Sequence, residues 1–235
     1  NMDTLSVFSC AIKKNIFDKP LNSVKEINNW LKYMKEKYFI KVNKIKLINM
    51  KNWILTNKNI FHINKLYFSI IGVAVSAKSR EVNHWNQPLI KNSSPHFAGF
   101  LVKKINSTTH YLVKFIVEPG LKHGSLTCTV KTSNVKSYKK NNNLSPKSKF
   151  ILEKFFFKRN KSSVEYDTIQ SHEGGRFYKS QVRYMVVLIN EQQRIETDKS
   201  YKWISQNQMV DLIKKGVLDI EARLCFACYN FEKII

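Results

Sequence analysis

"THYLVKFIVE", Thr109 to Glu118, decides how this chain folds. Tyr111, Val113, Phe115 and Val117 share one face of an extended chain, and His110, Leu112, Lys114 and Ile116 share the other. Both sets are largely apolar, so the segment predicts a strand at the centre of a sheet, covered on two sides. Pro119 and Gly120 punctuate its end. Glu118 is left where the strand runs into a loop, and loops at strand ends are where function concentrates.

Similar runs flank it. Residues 67–75 and 98–105 read as strands before it, with a further strand around 125–131 after it. Residues 164–170 and 176–189 read as strands too, the second bent or paired around Ser180 and Gln181. Helices announce themselves by their caps. Ser23 and Glu26 form a capping box, and Val24, Ile27, Leu31 and Met34 then share a helical face, which predicts an amphipathic helix from 23 to about 38. Ser145 before Pro146 predicts a short helix over about 146–157. Ser205 and Gln208 make a second capping box, followed by Met209, Leu212 and Ile213 on one face and by Lys214, Lys215 and Gly216 as a basic last turn and stop. Another helix, roughly 219–229, starts at Asp219. The order helix, strands, short helix, strands, two helices is that of an α+β fold, a mixed or antiparallel sheet flanked by helices. We expect one domain over 1–235, with a helical N-terminal segment of about 1–45 docked on it.

Composition agrees with a packed chain. Of 235 residues 43% are hydrophobic and 12% aromatic, and with 7 Gly and 5 Pro no flexible linker shows. No internal repeat is visible. The net charge of +23 raises nucleic acid or an anionic membrane as partners. The lysines are spread along the chain, however, as in "KNWILTNKNI" and "KKNNN", with no Arg-rich block or nucleic-acid motif, which argues against both. The charge still suits an anionic small ligand such as a nucleotide diphosphate. Four cysteines stand at 10, 128, 225 and 228. Cys225 and Cys228 form a C-x-x-C in an apolar helical setting with no second pair at zinc spacing, so reduced core thiols and a cytoplasmic protein are expected, with no metal. The longest apolar run, "LYFSIIGVAVSA" from Leu66, has 12 residues, too few for a bilayer, and we expect no secretory signal.

Three segments offer chemistry. In "HWNQPLI" Trp85 can stack on a flat ring while Gln87 bonds its edge, although, taken alone, a Trp that closes the core at a loop is the better account of the residue. In "VEPGLKHGSLTCTVK" Glu118 and His123 are plausible acid and base partners, or the solvated groups of an ordinary hairpin. In "QSHEGGRFYKSQVRYMVVLI" Gly174 and Gly175 let the backbone approach a ligand, and Arg176 offers a planar fork to a diphosphate. Glu173 becomes a base if desolvation lifts it, and Tyr178, Arg183 and Tyr184 flank the turn. A surface Glu–Arg pair beside a turn explains the same residues.

Taken together the segments resemble the NDP-hexose 2,3-dehydratases, in "WNQPLI", "EPG", "QSHEGGRFY", "RYMVVLI" and "WISQNQMVDLIKKGVLDIEARLCFAC". The resemblance runs from about Trp85 to Cys228, with the helix at 23–38 in the expected place before it, and the "EGGRFY" piece is its most specific part. It implies a Nudix-like α+β fold without a Nudix box. It also implies a lyase that removes the C2 hydroxyl of a dTDP-linked 4-keto-6-deoxyhexose, using neither redox cofactor nor metal. Glu173, Glu118, Tyr178 and Tyr184 are the catalytic candidates. Trp85, Gln87, His123, Thr129, Lys131, Gly174, Gly175, Arg176 and Arg183 are the substrate-binding ones, and Glu221 and Arg223 are supporting or interface residues. Members of the family are typically twice this long and built of two similar halves, so a homodimer standing in for the tandem pair is expected. There are departures. His172 stands where many members have Glu, and Lys131, Asn134 and Lys136 change the segment that helps hold the nucleotide. An inert homologue that binds a nucleotide sugar, or pairs with an active half, is therefore the alternative, and a basic nucleic-acid-binding protein is the second.

Overall fold

The computed structural model describes residues 17–121, 123–133, 135, 144–158, 163–172 and 174–232, the last two without side chains. The first helix, α1 (Val24–Lys37), begins at the Ser23–Glu26 capping box and buries Ile27, Leu31 and Met34. Residues ahead of it are tied to the body. Leu21 N–H donates to His110 Nε2 at 2.9 Å, and Asn22 Nδ2 donates to the Trp203 carbonyl at 2.8 Å.

An antiparallel meander follows in chain order: β1 (Trp53–Leu55), β2 (Asn59–His62), β3 (Ser69–Ser76) and β4 (His84–Lys91). The segment "HWNQPLI", not expected as a strand, lies in the strand β4. Pro88, opposite Gly72, is tolerated because β4 is an edge strand and needs no full ladder. Neither β1 nor β2 was anticipated, because both are short and polar at their margins.

The larger sheet contains β5 (His96–Ile105), β6 (Thr108–Ile116), β7 (Ser125–Thr127), β8 (Val130–Thr132), β9 (Val164–Ser171), β10 (Gln181–Leu188) and β11 (Tyr201–Ser205). Its order is β11-β6-β5-β10-β9, with β7 on β6 and β8 on β5. Among the described strand pairs of this sheet β5–β10 is the parallel one, Val182 opposite His96 through Leu188 opposite Val102, so the sheet is mixed. The run expected at 176–189 is a turn followed by β10. The expected strand at 125–131 is broken in two at Thr129.

That break shapes the molecule. β5 and β6 pair only from Ile105↔Thr108 to Val102↔Tyr111. Beyond, they splay, and β7 and β8 enter the fork, Lys114 opposite Thr127 and Gly99 opposite Val130. Thr129 sits at the apex. Its hydroxyl accepts from Leu101 N–H at 2.8 Å and donates to the Leu112 carbonyl, so it closes both backbones the fork leaves open.

The two faces of β6 sort as their alternation predicts. Tyr111, Val113 and Phe115 join a core with Met34, Phe100, Met209 and Phe226. That core lies beneath α1, α3 (Gln206–Lys214) and α4 (Ile220–Glu232). Leu112 joins a second core with Phe97, Ile151, Phe156 and Met185, under α2 (Pro146–Ile151). α2 widens into a π-helical turn over Leu152–Phe157, which turns Phe155 and Phe156 inward. The second capping box, Ser205 with Gln208, starts α3. The observed class is α+β, a mixed sheet with helices on both faces. No described helix is long and apolar enough to cross a membrane.

Candidate active site

Splaying β5 from β6 leaves a cleft of about 930 Å³. Its lining includes His96, Lys114, Glu118, Thr127, Lys131 and Glu221. Alternation along β6 puts Lys114 and Ile116 toward the cleft, and Glu118 continues the row past the strand end.

Lys131 on β8 is the hub. Its Nζ lies 2.8 Å from Glu118 Oε1, 3.0 Å from Asp219 Oδ2 and 3.7 Å from Glu221 Oε2. Asp219 reaches this point because it caps α4, its Oδ1 accepting from Ala222 N–H at 2.9 Å. Glu221 follows in the first turn, where the helix dipole favours an acid. Burial works against the lysine's charge, yet Asp219, Glu221 and Glu118 hold it above the ordinary lysine range. Burial pushes Glu221 up, Asp219 adds to that, and Lys131 opposes it. Burial thus sets the Glu221 carboxyl apart from an ordinary exposed one, although Lys131 stands beside it.

Lys114 lines the same cleft farther along. Its Nζ donates to Ser148 Oγ at 2.6 Å and sits 5.3 Å from the Tyr201 ring centre. Ser148 Oγ and Tyr201 Oη are 2.7 Å apart. Burial lowers this lysine below its ordinary range, with Asp198 opposing.

Ile90 of β4 and Phe177, from a turn docked on that strand, also line the cleft. Ile90 N–H donates to the Arg176 carbonyl at 2.7 Å, and Tyr178 N–H donates to the Ile90 carbonyl at 2.8 Å. Gln87 Nε2 donates to the Gly175 carbonyl at 2.6 Å, and Trp85 Nε1 donates to Gln87 Oε1 at 2.7 Å. Trp85 and Gln87 therefore hold the glycine turn, and they face a separate shallow depression beside Arg80 and Val82. Gly174 has φ +115°, a value L-residues rarely adopt, which is why glycine is needed there. Arg176 is exposed, its guanidinium 4.7 Å from the Phe177 ring centre. Tyr178 lies between Lys91 and Lys179. Glu173 falls outside the described residues.

Other expected residues are placed elsewhere. The Arg183 guanidinium is committed to Asp167 in a bidentate pair, both bonds 2.7 Å. Tyr184 is 3% exposed within the core beneath α4, where burial first and Glu221 second raise it far above the phenol range. Neither is part of the cleft lining among the described residues. Thr129 is wholly interior and holds the fork. His123 is exposed in a smaller hollow that shares Glu118 with Lys35 and Tyr38. Of the expected set the cleft thus gathers Glu118 and Lys131, together with Glu221, which was expected only in a supporting or interface role, and the turn at Gly174 to Arg176 borders it through Phe177. His96, Lys114 and Ser148 went unnoticed as site residues, and Asp219 was read only as a helix start. The one visible signal was the cap at Asp219 with Glu221 two residues on.

The sequence model of the family described as NDP-hexose 2,3-dehydratase matches residues 24–229. A dTDP-4-dehydro-6-deoxy-alpha-D-glucopyranose 2,3-dehydratase of Saccharopolyspora spinosa is 30% identical over 95% of this chain and 50% of its own length. One of Amycolatopsis orientalis is 29% identical over 98% of this chain and 48% of its own. The chain spans about half the length of the curated relatives it matches. Among solved structures, the C. elegans Ap4A hydrolase resembles it over 62% of this chain and 98% of that one, at 13% identity and a TM-score of 0.37, too slight a likeness to argue from. With the family matched from the start of α1 to within α4, and the cleft built from residues inside that span, the chain belongs to the NDP-hexose 2,3-dehydratase family.

Proposed function

We propose that this chain is a 2,3-dehydratase unit acting on a nucleotide-linked 4-keto-6-deoxyhexose, the dTDP-linked glucose derivative foremost. The observation that carries the reading is the Lys131 hub, which sets Glu118, 46% exposed, beside Glu221, 13% exposed, in the wall of the cleft. The substrate is the one for which the relatives are named.

The chemistry needs two proton positions. The C4 ketone acidifies the C3 proton, and its removal forms an enolate. The electrons then expel the C2 hydroxyl, which takes a proton and departs as water. The remaining C2–C3 enol becomes a 3,4-diketo-2,6-dideoxy sugar. Glu118, more exposed, accepts the C3 proton. Glu221, whose carboxyl burial raises above its ordinary range, donates at the C2 oxygen. Lys131 opposes the negative charge that develops between them. Arg176, exposed on the turn, meets the diphosphate. Glu173 is the competing base, as the motif that holds it suggests. The family's double length supports a second such unit as partner, a second copy of this chain being the simplest, and sedimentation equilibrium checks it. A cytoplasmic setting is part of the same proposal, since a nucleotide sugar is its substrate.

The test is an NMR time course in D2O with dTDP-4-keto-6-deoxyglucose. Loss of the C3 proton with appearance of the 2-deoxy diketo product supports the reading. No change with this or other nucleotide sugars overturns it in favour of an inert partner. E118Q and E173Q, run in parallel, decide which carboxylate takes the proton.

A further inference from the structure

His96 opens β5 and lines the cleft, yet the reaction above leaves it idle. Its Nε2 is buried and has no hydrogen-bond partner among the described residues. Buried polar atoms are nearly always paired, so an unpaired one on a residue that lines a cleft marks a position where a ligand could supply the missing partner. The ring is held from one side by His172, whose centre is 4.9 Å away at 64°. His172 in turn stacks on Phe177 at 3.9 Å and 17°, and Ser180 Oγ is 3.4 Å from its Nδ1. The "EGGRFY" turn thus braces His96 through two stacked rings.

The groups that face His96 are Lys131 from β8 and His172 from the turn, and Arg176 faces His172. Burial, then His172, then Lys131 push His96 down to about 4, so near neutral pH the ring is uncharged. An uncharged imidazole has one N–H to give. Glu118 already stands in the cleft to take the carbon-bound proton, so the ring is not needed as the base. A neutral imidazole is, however, well suited to polarise a carbonyl.

We propose that His96 is a catalytic residue whose neutral ring donates a hydrogen bond from Nε2 to the C4 carbonyl oxygen of the sugar. The bond strengthens as C3 loses its proton and the oxygen gains charge. The C3 proton goes to a carboxylate, and His96 keeps its own throughout. The inference rests on the dehydratase reading and adds to it the residue that stabilises the enolate.

The experiment follows C3 exchange and product formation by NMR for the wild type, H96A and H96Q, with folding checked by circular dichroism. Gln places an amide N–H near the position of Nε2 and cannot act as an acid or base. H96A is expected to lose about 100-fold in both rates, the loss typical of one oxyanion donor, while H96Q recovers to within about 10-fold of the wild type. Full activity in H96A overturns the proposal. A folded H96Q as slow as H96A also overturns it, because the ring would then be moving a proton. Should the wild type exchange no C3 proton, the dehydratase reading falls by itself. The His96 inference is then judged by 15N-histidine NMR with the same 4-keto sugar. A shift of the Nε2 resonance on addition sustains the contact, and an unmoved resonance refutes it.

Discussion

Lys131 Nζ stands 2.8 Å from Glu118 Oε1, and this contact ties β8 to the loop that ends β6. The same ammonium reaches Asp219 and Glu221 at the start of α4, so one side chain joins three parts of the fold where they meet the cleft. Buried carboxylates are tolerated there because the lysine is present to offset them.

Removing that cation exposes the cost. Lys131→Met leaves Asp219 and Glu221, 7% and 13% exposed, buried without a counter-ion. We expect a loss of about 3 kcal/mol in urea unfolding. Adding D219N to K131M should recover a large part of it, since the double variant buries one uncompensated charge fewer.

Acid should weaken the fold through His96. Its folded value of about 4 lies below the ordinary 6.5, so the folded state binds fewer protons than the unfolded chain in that window. Stability is complete above pH 6.5 and is lost as pH falls toward 4, by up to about 3 kcal/mol for this one group. Urea midpoints measured from pH 7 to pH 4 should fall steeply in the wild type and more gently in H96Q. Equal slopes would refute the assignment.

Gly99 leaves no room for a side chain. A Cβ there would meet Phe156 Cε1 at 2.5 Å and Phe97 Cε1 at 2.9 Å. Both rings belong to the core under α2. Gly99→Ala should cost about 1–3 kcal/mol, read as a lower urea midpoint with an unchanged slope.

Tyr184 should matter little to turnover. It is packed among Cys128, Cys225 and Phe226 in the core beneath α4. Tyr184→Phe keeps that packing, so product formation should change less than about twofold and stability by less than about 1.5 kcal/mol. A large drop in rate would return Tyr184 to the reaction as a donor.

Local features were readable before any fold was known. Ser23 with Glu26 and Ser205 with Gln208 start their helices because a cap satisfies N–H groups only three residues away. β6 declared itself central because two apolar faces alternate within one short segment. The wording around Gly174 and Gly175 pointed to the family, and the positive φ at Gly174 gives its glycine a reason.

The cleft was not readable in this way. Thr129 splits a strand because it must bridge Leu101 and Leu112 across the fork, and nothing adjacent to it in the chain demands that. Trp85 and Gln87 looked like ligand groups, but the docking of the Gly175 turn on β4 engages Gln87 directly and Trp85 through it. Arg183 looked free until strand register brought Asp167 within reach. His96 carried no signal at all, being one imidazole ahead of an apolar run. By itself the sequence determined the caps, the central strand and the family, because each rests on neighbours along the chain or on a contiguous motif. Only the tertiary structure decided that Lys131 meets Asp219 and that His96 faces the cleft, because register and the splay of β5 from β6 bring together residues that no local pattern relates.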